Sequence, residues 1–286
     1  MLGLPIFLLL SPAAAAASEP QVWSAPPIST DQFESHPAFD PWTGDLWFVR
    51  STPQFRGWRL KLSRCSAAGL SAPVDAPIAG DGVEADPWFS RDGRTLWFIS
   101  TRSTDGVKGR GLDIWRATRD RAGRWNPPQR LPEPINSAGN EWFPRVDRDG
   151  WLYFGSDRPG GFGKTDIWRA RQGRGGHWTI ENAGPAINSP DDEYEALPSP
   201  NGRWLLLSAD GYYRSERTRS GWAKRVRLGS AINANGSEIG AAFSPSGRSW
   251  LFSRSLEVGR SGELLRVGGN EAWPPRCGTG RANRRR

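Results

Sequence analysis

The chain has 286 residues and a formal net charge of +8, from 38 basic and 30 acidic residues. With 34 Gly, 24 Pro, 16 Trp and 12 Phe, it combines many turn-forming residues with enough bulky apolar area to bury a large core. Nearly all of the basic residues are Arg, and they are dispersed rather than arranged as a basic stripe with interleaved aromatic residues. We therefore expect no nucleic-acid partner.

The first segment of the chain, residues 1–17, resembles a secretory signal peptide. A short apolar run is followed by small residues, and Ala15-Ala16-Ala17 forms an A-x-A cleavage site. No basic residue precedes the apolar run, which would fit a true start further upstream. The run is too short to span a bilayer and no other segment is apolar enough, so we expect no membrane span. The sequence therefore predicts a periplasmic or secreted protein.

A block that starts with Glu recurs along the chain at intervals of about 45 to 57 residues. In each copy an apolar stretch, a Gly-bearing turn and a second apolar run follow the Glu, which predicts two antiparallel strands joined by a hairpin. The copies begin at Glu34, Glu84, Glu141, Glu193 and Glu238. A repeat of this length and chemistry is typical of the blades of a β-propeller.

Two further strands follow the first pair, as in residues 166–172 and 177–188 of the third copy. Each blade is therefore predicted to contain four antiparallel strands, named A to D from the innermost outward. The fifth copy ends after its third strand, at 262–267. Residues 22–30 match the outer element that precedes each later Glu, so they supply the missing fourth strand.

These elements predict an all-β fold, a five-bladed β-propeller of four-stranded antiparallel blades, over residues 20–269. The ring is closed by an N-terminal strand that completes the last blade, which removes two exposed sheet edges. Residues 270–286 are predicted to be an irregular basic tail. A closed ring needs no partner to fold, so we expect a monomer.

The third copy contains the stretch YFGSDRPGGFGKTDIWRA, residues 153–170, and the second copy has a weaker version that ends in LDIWRA. These repeats resemble the TolB-type, WD-like propeller repeats of bacterial envelope proteins, some of which are fused to OmpA-like peptidoglycan-binding domains. The resemblance covers nearly the whole mature chain, although the fourth and fifth copies lack the SDRPGG element. It implies a propeller fold and a location in the cell envelope.

The topology of an antiparallel blade places the start of strand A, the end of strand B and the start of strand C on one face. Strand A is innermost, so we expect the repeated Glu residues to surround one mouth of the central channel, with the 159–163 loop projecting from the same rim. The candidate binding residues on this rim are Glu34, Glu84, Glu141, Glu193, Glu238, Arg102, Asp113, Asp157, Arg158, Phe162 and Asp166. A structural interpretation is also open: each Glu would accept hydrogen bonds from loop amides or pair with an Arg such as Arg102 or Arg158. Trp88 and Trp142, on strand A, are candidates to reach the channel.

Two functions fit these observations. The first is a non-catalytic binding scaffold of the bacterial cell envelope, which recognises a protein or a cell-wall or glycan ligand on the channel rim. The alternative is a glycoside hydrolase, which needs two carboxylates roughly 5 to 10 Å apart. Glu195 and Asp192, acids that occur in one blade only, would then be the first to test.

The small numbers of His and Cys limit the chemistry of the chain. With 2 His and 2 Cys, we expect no metal site, no cofactor and no Ser-His-Asp catalysis. Cys65 falls in the first blade and Cys277 just beyond the last, and ring closure makes these blades neighbours. The two thiols could therefore form a disulfide across the seam or remain free.

Overall fold

A computed structural model describes residues 19–23, 26–103, 111–255, 262–269, 271–274 and 277. Over these residues the chain is all-β, with no helix, and its antiparallel sheets form the five blades of a propeller. No described segment is a helix that is long and apolar enough to cross a membrane. The predicted signal segment, residues 1–17, and most of the predicted tail lie outside the described residues.

The strands follow the predicted order from blade I to blade V. Strand β1 is Gln21–Val22. Blade I contains β2 (Phe33–Phe39), β3 (Leu46–Ser51), β4 (Arg59–Ser63) and β7 (Val74–Asp75), with a side hairpin of β5 (Cys65–Ser66) and β6 (Gly69–Leu70). Blade II contains β8 (Glu84–Phe89), β9 (Thr95–Ser100), β10 (Asp113–Thr118) and β11 (Gln129–Arg130). Blade III contains β12 (Glu141–Val146), β13 (Leu152–Ser156), β14 (Asp166–Gln172) and β15 (Trp178–Asn182).

Blade IV contains β16 (Glu195–Pro198), β17 (Trp204–Ser208) and β18 (Tyr212–Thr218), with β19 (Gly221–Trp222) and β20 (Val226–Arg227) both paired to β18. Blade V contains β21 (Ile239–Phe243), β22 (Ser249–Ser255), β23 (Gly262–Gly268) and β1. The N-terminal strand pairs antiparallel with β23, with Gln21 opposite Arg266 and Val22 opposite Leu265. The predicted closure of the ring is therefore confirmed.

The seam between blades V and I has two further contacts. Cys65, in the side hairpin of blade I, forms a disulfide with Cys277, and their Cα atoms are 5.0 Å apart. Trp273 is 9% exposed, and its ring lies 5.6 Å from that of Phe39 on β2. The chain beyond blade V is thus bound to blade I both covalently and by aromatic packing.

Buried aromatic side chains recur at fixed positions in the blades. Trp47 and Trp97 occupy equivalent places in the B strands, Trp115 lies in a C strand, and all three are buried. They belong to a continuous apolar cluster that runs through blades I to III. Their repetition reflects packing between sheets, as the sequence predicts, rather than an exposed stacking surface.

The two faces of the propeller differ in structure. The A–B and C–D turns lie on one face, called the hairpin face below, and the A strands begin on the other, called the pocket face. The A–B turns need a left-handed residue, and Gly93 (φ 68°) and Gly150 (φ 83°) supply it. Hairpins of adjacent blades touch, since the Arg148 guanidinium donates to the Asn201 carbonyl at 3.4 Å.

Candidate functional site

The five repeated Glu side chains lie where the A strands begin, and all are 4% exposed or less. Each accepts hydrogen bonds from the backbone of the loop that enters its blade and pairs with an Arg. Glu141, for example, accepts from the Ser137 hydroxyl at 2.6 Å and lies 3.0 Å from Arg158. The remaining pairs are Glu34–Arg50, Glu84–Arg102, Glu193–Arg225 and Glu238–Arg254.

Each of these arginines also donates to carbonyl groups of the loop before the blade. Arg158 donates to the Pro134 and Ile135 carbonyls, and Arg102 to that of Ile78. Burial raises the pKa of Glu141, against the opposing effects of the Ser137 hydrogen bond and the Arg158 charge. Each repeated Glu thus accepts hydrogen bonds from loop amides and pairs with an Arg, as the structural interpretation expects. A role of these residues in ligand binding stays a prediction.

The other acidic candidates on the rim also hold loops in place. Asp113 pairs with the Arg130 guanidinium at 2.6 Å, and Asp157 accepts from the Asn140 backbone amide at 2.6 Å. Asp166 accepts from the backbone amide of Phe162 at 2.6 Å, which fixes the 159–163 loop. Phe162 is 53% exposed and is the rim candidate whose side chain is free to meet a ligand.

A second position, two residues after each repeated Glu, points into the channel. It is occupied by His36, Asp86, Phe143, Glu195 and Gly240 in blades I to V. In blades I, II, III and V the pairing of strands A and B shifts register at this point, which marks a β-bulge. The φ angles at these bulges are positive, 52° at His36, 58° at Asp86 and 48° at Phe143. A Cβ on Gly240 would lie 2.9 Å from the Cα of His36, so only Gly at this position leaves room for His36.

Left-handed backbone is costly for residues with a side chain, about 1–3 kcal/mol each, and it persists where the surrounding structure imposes it. The non-Gly residues with positive φ in the described chain are His36, Phe55, Asp86 and Phe143. All of them line the same cavity. Strain is thus concentrated at one place, the centre of the ring.

This channel cavity has a volume of about 180 Å³ and draws residues from all five blades. Its half-buried walls include Phe55, Trp58, Trp142 and Tyr194. The rings of Trp142 and Tyr194 meet edge to face at 5.8 Å, and Phe55 lies 5.3 Å from Trp58. Trp142 reaches the channel as the sequence predicts, whereas Trp88 packs against the guanidinium of Arg145, 5.4 Å from its ring.

Polar groups lie at the base of the channel cavity. The imidazole Nε2 of His36 is 3.2 Å from Oδ1 of Asp86, and its Nδ1 is hydrogen-bonded to the Ser35 hydroxyl at 2.6 Å. The Phe143 amide donates to Oδ2 of Asp86 at 2.8 Å. Burial raises the pKa of Asp86 to about 7, despite the opposing charge of Arg145, and burial lowers the pKa of His36 to about 3. At neutral pH the imidazole is therefore uncharged.

A buried ion pair lies beside this group. Arg145, on β12, donates from Nε to Oε1 of Glu195 at 2.7 Å, and its Nη1 donates to the backbone carbonyl of Asp86 at 3.3 Å. Both side chains of the pair are 2% exposed or less. Burial raises the pKa of Glu195, and the charge of Arg145 acts in the opposite direction. The acid singled out from the sequence thus lies in the channel, while Asp192 is partly exposed near Lys164.

Sequence reasoning did not find His36, Asp86 or Arg145. A signal for the first two exists: when the copies are aligned on their Glu, the residue two places later is a different amino acid in each of the five blades. No group of His, Cys, Asp and Glu that could hold a metal ion occurs among the described residues. The cavity therefore presents aromatic side chains to a ligand along its walls. The polar groups at its base are uncharged or paired with one another.

No family model and no curated relative matches the chain. Among solved structures, the α-L-arabinofuranosidase PaAbf62A of Podospora anserina is similar, with a TM-score of 0.52 and 14% identity over 89% of this chain and 96% of that one. A TolB-like protein from Agrobacterium tumefaciens matches 78% of this chain and 70% of its own, with a TM-score of 0.49 and 17% identity. The periplasmic gluconolactonase PpgL of Pseudomonas aeruginosa matches 82% of this chain and 88% of its own, with a TM-score of 0.44 and 14% identity. At 14% identity the likeness to the arabinofuranosidase shows the fold alone.

Proposed function

We propose that the protein is an exported, non-catalytic binding scaffold of the bacterial cell envelope, whose ligand enters the channel cavity. The ligand is a protein or a cell-wall or glycan component. The observation that carries this proposal is that, among the described residues, all non-Gly residues with positive φ line one aromatic cavity. Strained backbone clusters at ligand sites, and a preformed concave aromatic surface is the usual form of a binding pocket.

Two features support export. The N-terminal segment has the composition of a signal peptide, and Cys65 and Cys277 are joined in a disulfide, a bond that persists in oxidising compartments. The resemblance of the repeats to those of envelope propellers agrees with both.

The size of the cavity limits what can enter. Apolar cavities of about 150 Å³ bind benzene, so a cavity of about 180 Å³ accepts one ring or one bulky side chain. The surface available for recognition is the aromatic wall, because the polar groups at the base already pair with one another. The rest of the ligand must lie on the pocket face around the opening.

The test is capture of ligands from envelope extract, with the protein and glycan fractions analysed separately. Tyr194→Ala removes one half-buried wall of the cavity, and Phe162→Ala removes an exposed aromatic side chain from the rim outside it. We expect the captured species to be lost with Tyr194→Ala and retained with Phe162→Ala. Loss with Phe162→Ala alone would move the site to the 159–163 loop, and no enrichment by the wild type would refute the proposal.

A glycoside hydrolase is the second candidate, and one observation favours it. Asp86 and Glu195 are two channel acids in unlike environments, and the raised pKa of Asp86, about 7, is that of a general acid. Against it, Glu195 is bound by Arg145 and Asp86 by His36 and the Phe143 amide. Release of reducing sugar from envelope polysaccharides by the wild type, abolished by Asp86→Asn, would establish this alternative.

A further inference from the structure

The hairpin face, opposite the channel cavity, carries much of the basic charge of the chain. Exposed arginines of its turns include Arg91, Arg121, Arg148, Arg174, Arg203 and Arg219. Within the described part of the chain, none of these six forms a salt bridge, although other arginines of the same face do. These arginines are far apart in the sequence, but the fold brings them to one face, where their charges are not neutralised by salt bridges to any described residue.

One cleft on this face combines that charge with aromatic surface. It lies between blades III and IV, has a volume of about 310 Å³, and is called the arginine cleft here. Blade III contributes Trp151 and Arg169, and blade IV contributes the hairpin that runs from Arg217 to Trp222. A Cβ on Gly221 of this hairpin would meet no atom within 4 Å, so the backbone there borders open space.

Guanidinium groups stack on both Trp rings of the cleft. The Arg169 guanidinium lies 4.5 Å from the Trp151 ring and that of Arg171 lies 5.7 Å from it. On the other wall, the Arg217 guanidinium lies 5.3 Å from the Trp222 ring. Cation–π contacts of this kind hold each guanidinium group beside an aromatic ring.

The charges of the cleft are only partly neutralised. Arg169 pairs with Glu181 at 2.5 Å, and Arg217 lies 3.5 Å from Asp149. Arg171 and Arg219 have no carboxylate partner among the residues that the structure describes. Arg219 lines the cleft, so an anion there would meet its unpaired guanidinium group without displacing an existing salt bridge. Arg171 lies outside the lining, with its guanidinium group against the Trp151 ring.

We propose that the arginine cleft binds an anionic saccharide, one whose sugar ring carries a carboxylate or a phosphate. The Arg fork matches the geometry of both anions, and the half-buried Trp151 and Trp222 rings add apolar surface to the lining, beside the guanidinium groups, for the C–H groups of a sugar ring. The hydroxyl groups of Thr218 and Ser220, 3.3 Å apart on the same hairpin, supply further hydrogen bonds. The cleft has about twice the volume that encloses benzene, which leaves room for a ring with its substituents. The site is on the opposite face from the channel cavity and does not depend on the function proposed for it.

The surrounding arginines of the hairpin face act at longer range. A face of one charge raises the local concentration of an oppositely charged ligand and speeds its association. The Debye length is about 8 Å at physiological ionic strength, so this contribution weakens as salt is added. Contacts made inside the cleft are screened less by salt. Binding in the cleft should therefore depend less on salt than general attraction to the hairpin face.

The experiment is isothermal titration of the full chain with trigalacturonate, with its neutral methyl ester, and with glucose 6-phosphate. We expect one of the two anionic saccharides to bind and the neutral ester to bind at least tenfold more weakly. The anion that binds distinguishes a carboxylate from a phosphate as the recognised group. In the double variant Arg171→Gln/Arg219→Gln, affinity should fall by about tenfold or more, because the unpaired charge that lines the cleft and the unpaired charge beside its Trp151 wall are both lost.

The matched control is Arg91→Gln/Arg121→Gln, which removes the same charge from exposed positions of the same face in blade II. We expect its affinity to stay within twofold of the wild type. Equal weakening by the control pair would show general attraction to the basic face and overturn the proposal. So would failure of both anionic saccharides to bind, or equal affinity for a thymidine decanucleotide, which would assign the cleft to nucleic acid.

Discussion

The imidazole of His36 and the carboxyl group of Asp86 occupy equivalent positions in adjacent blades, and their nearest N and O atoms are 3.2 Å apart at the centre of the ring. Both are fully buried, and burial moves their pKa values in opposite directions, to about 3 for His36 and about 7 for Asp86. Between pH 4 and 6.5 the folded pair and the unfolded pair each hold one proton. The pair therefore adds almost no pH dependence to the stability of the wild type in that range.

Substituting either His36 or Asp86 should reveal the pH dependence of stability that the other residue contributes. The raised pKa of Asp86 gives a contribution that is complete below its unfolded value of 3.8 and is lost as the pH rises through about 7. With His36→Gln, the free energy of unfolding should therefore fall as the pH rises from 4 to 7, by roughly 1.4 kcal/mol per unit at most. Urea denaturation at several pH values measures this slope.

Asp86→Asn should give the opposite slope. The lowered pKa of His36 gives a contribution that is complete above 6.5 and is lost as the pH falls through about 3. The free energy of unfolding should then rise from pH 4 to pH 6.5. Two variants with slopes of the same sign would show that the two groups do not titrate as described.

The buried pair of Arg145 and Glu195 should show strong coupling. Arg145→Met leaves the Glu195 carboxylate without its cation, and loss of one partner of a buried pair costs about 3–5 kcal/mol. The double variant Arg145→Met/Glu195→Leu should recover most of this loss, because no uncompensated charge remains. A double-mutant cycle by chemical denaturation measures the coupling, and additive effects would contradict it.

Arg158→Ala tests whether the repeated Glu–Arg pairs are structural. Its guanidinium binds Glu141 and two loop carbonyls, so its removal should lower the melting temperature by roughly 10 °C. Asp157→Ala removes an exposed carboxyl group next to it in sequence and serves as the milder comparison. If Arg158→Ala melts like the wild type but captures no ligand, the pair belongs to the binding site instead.

The disulfide between Cys65 and Cys277 spans a sequence separation of 212 residues. Cross-linking so long a loop restricts the unfolded chain, and the chain-entropy model assigns it about 5 kcal/mol. Cys277→Ser should therefore lower the free energy of unfolding by up to that amount without changing ligand capture. The measurement is denaturation of the variant beside the wild type with and without reductant, which should affect only the wild type.

The fold could be predicted from the sequence because its determinants are local and repeat. Turn glycines such as Gly93, a Glu at a fixed phase and alternating apolar residues define each blade, and the position of residues 22–30 reveals the closure. The channel residues could not be predicted in the same way. The bulge that turns His36 and Asp86 inward arises from packing of the A strands around the axis, and strand periodicity carries no sign of it.

The Glu–Arg pairs show the same limit in blade IV. In the other blades the Arg lies at the end of strand B or just after it, as with Arg50 and Arg158, so the pairing can be anticipated. In blade IV the position equivalent to Arg158, two residues after the end of strand B, holds Asp210. Arg225 reaches Glu193 from beside the outer strand instead. Blade IV therefore keeps the Glu–Arg pair but takes the Arg from a different part of the chain, which only the tertiary structure reveals.

Closure of the ring by Gln21 and Arg266 also determines when the fold can be completed. A chain made from its N-terminus keeps its first strand without a partner until almost all of the remaining residues have emerged. Blade V is therefore the last to be completed, and the outer edge of β23 stays unpaired until β1 joins it. The same arrangement makes the starting point of the ring arbitrary. A circularly permuted chain that begins between blades II and III should close by ordinary hairpin connections and reach the same architecture.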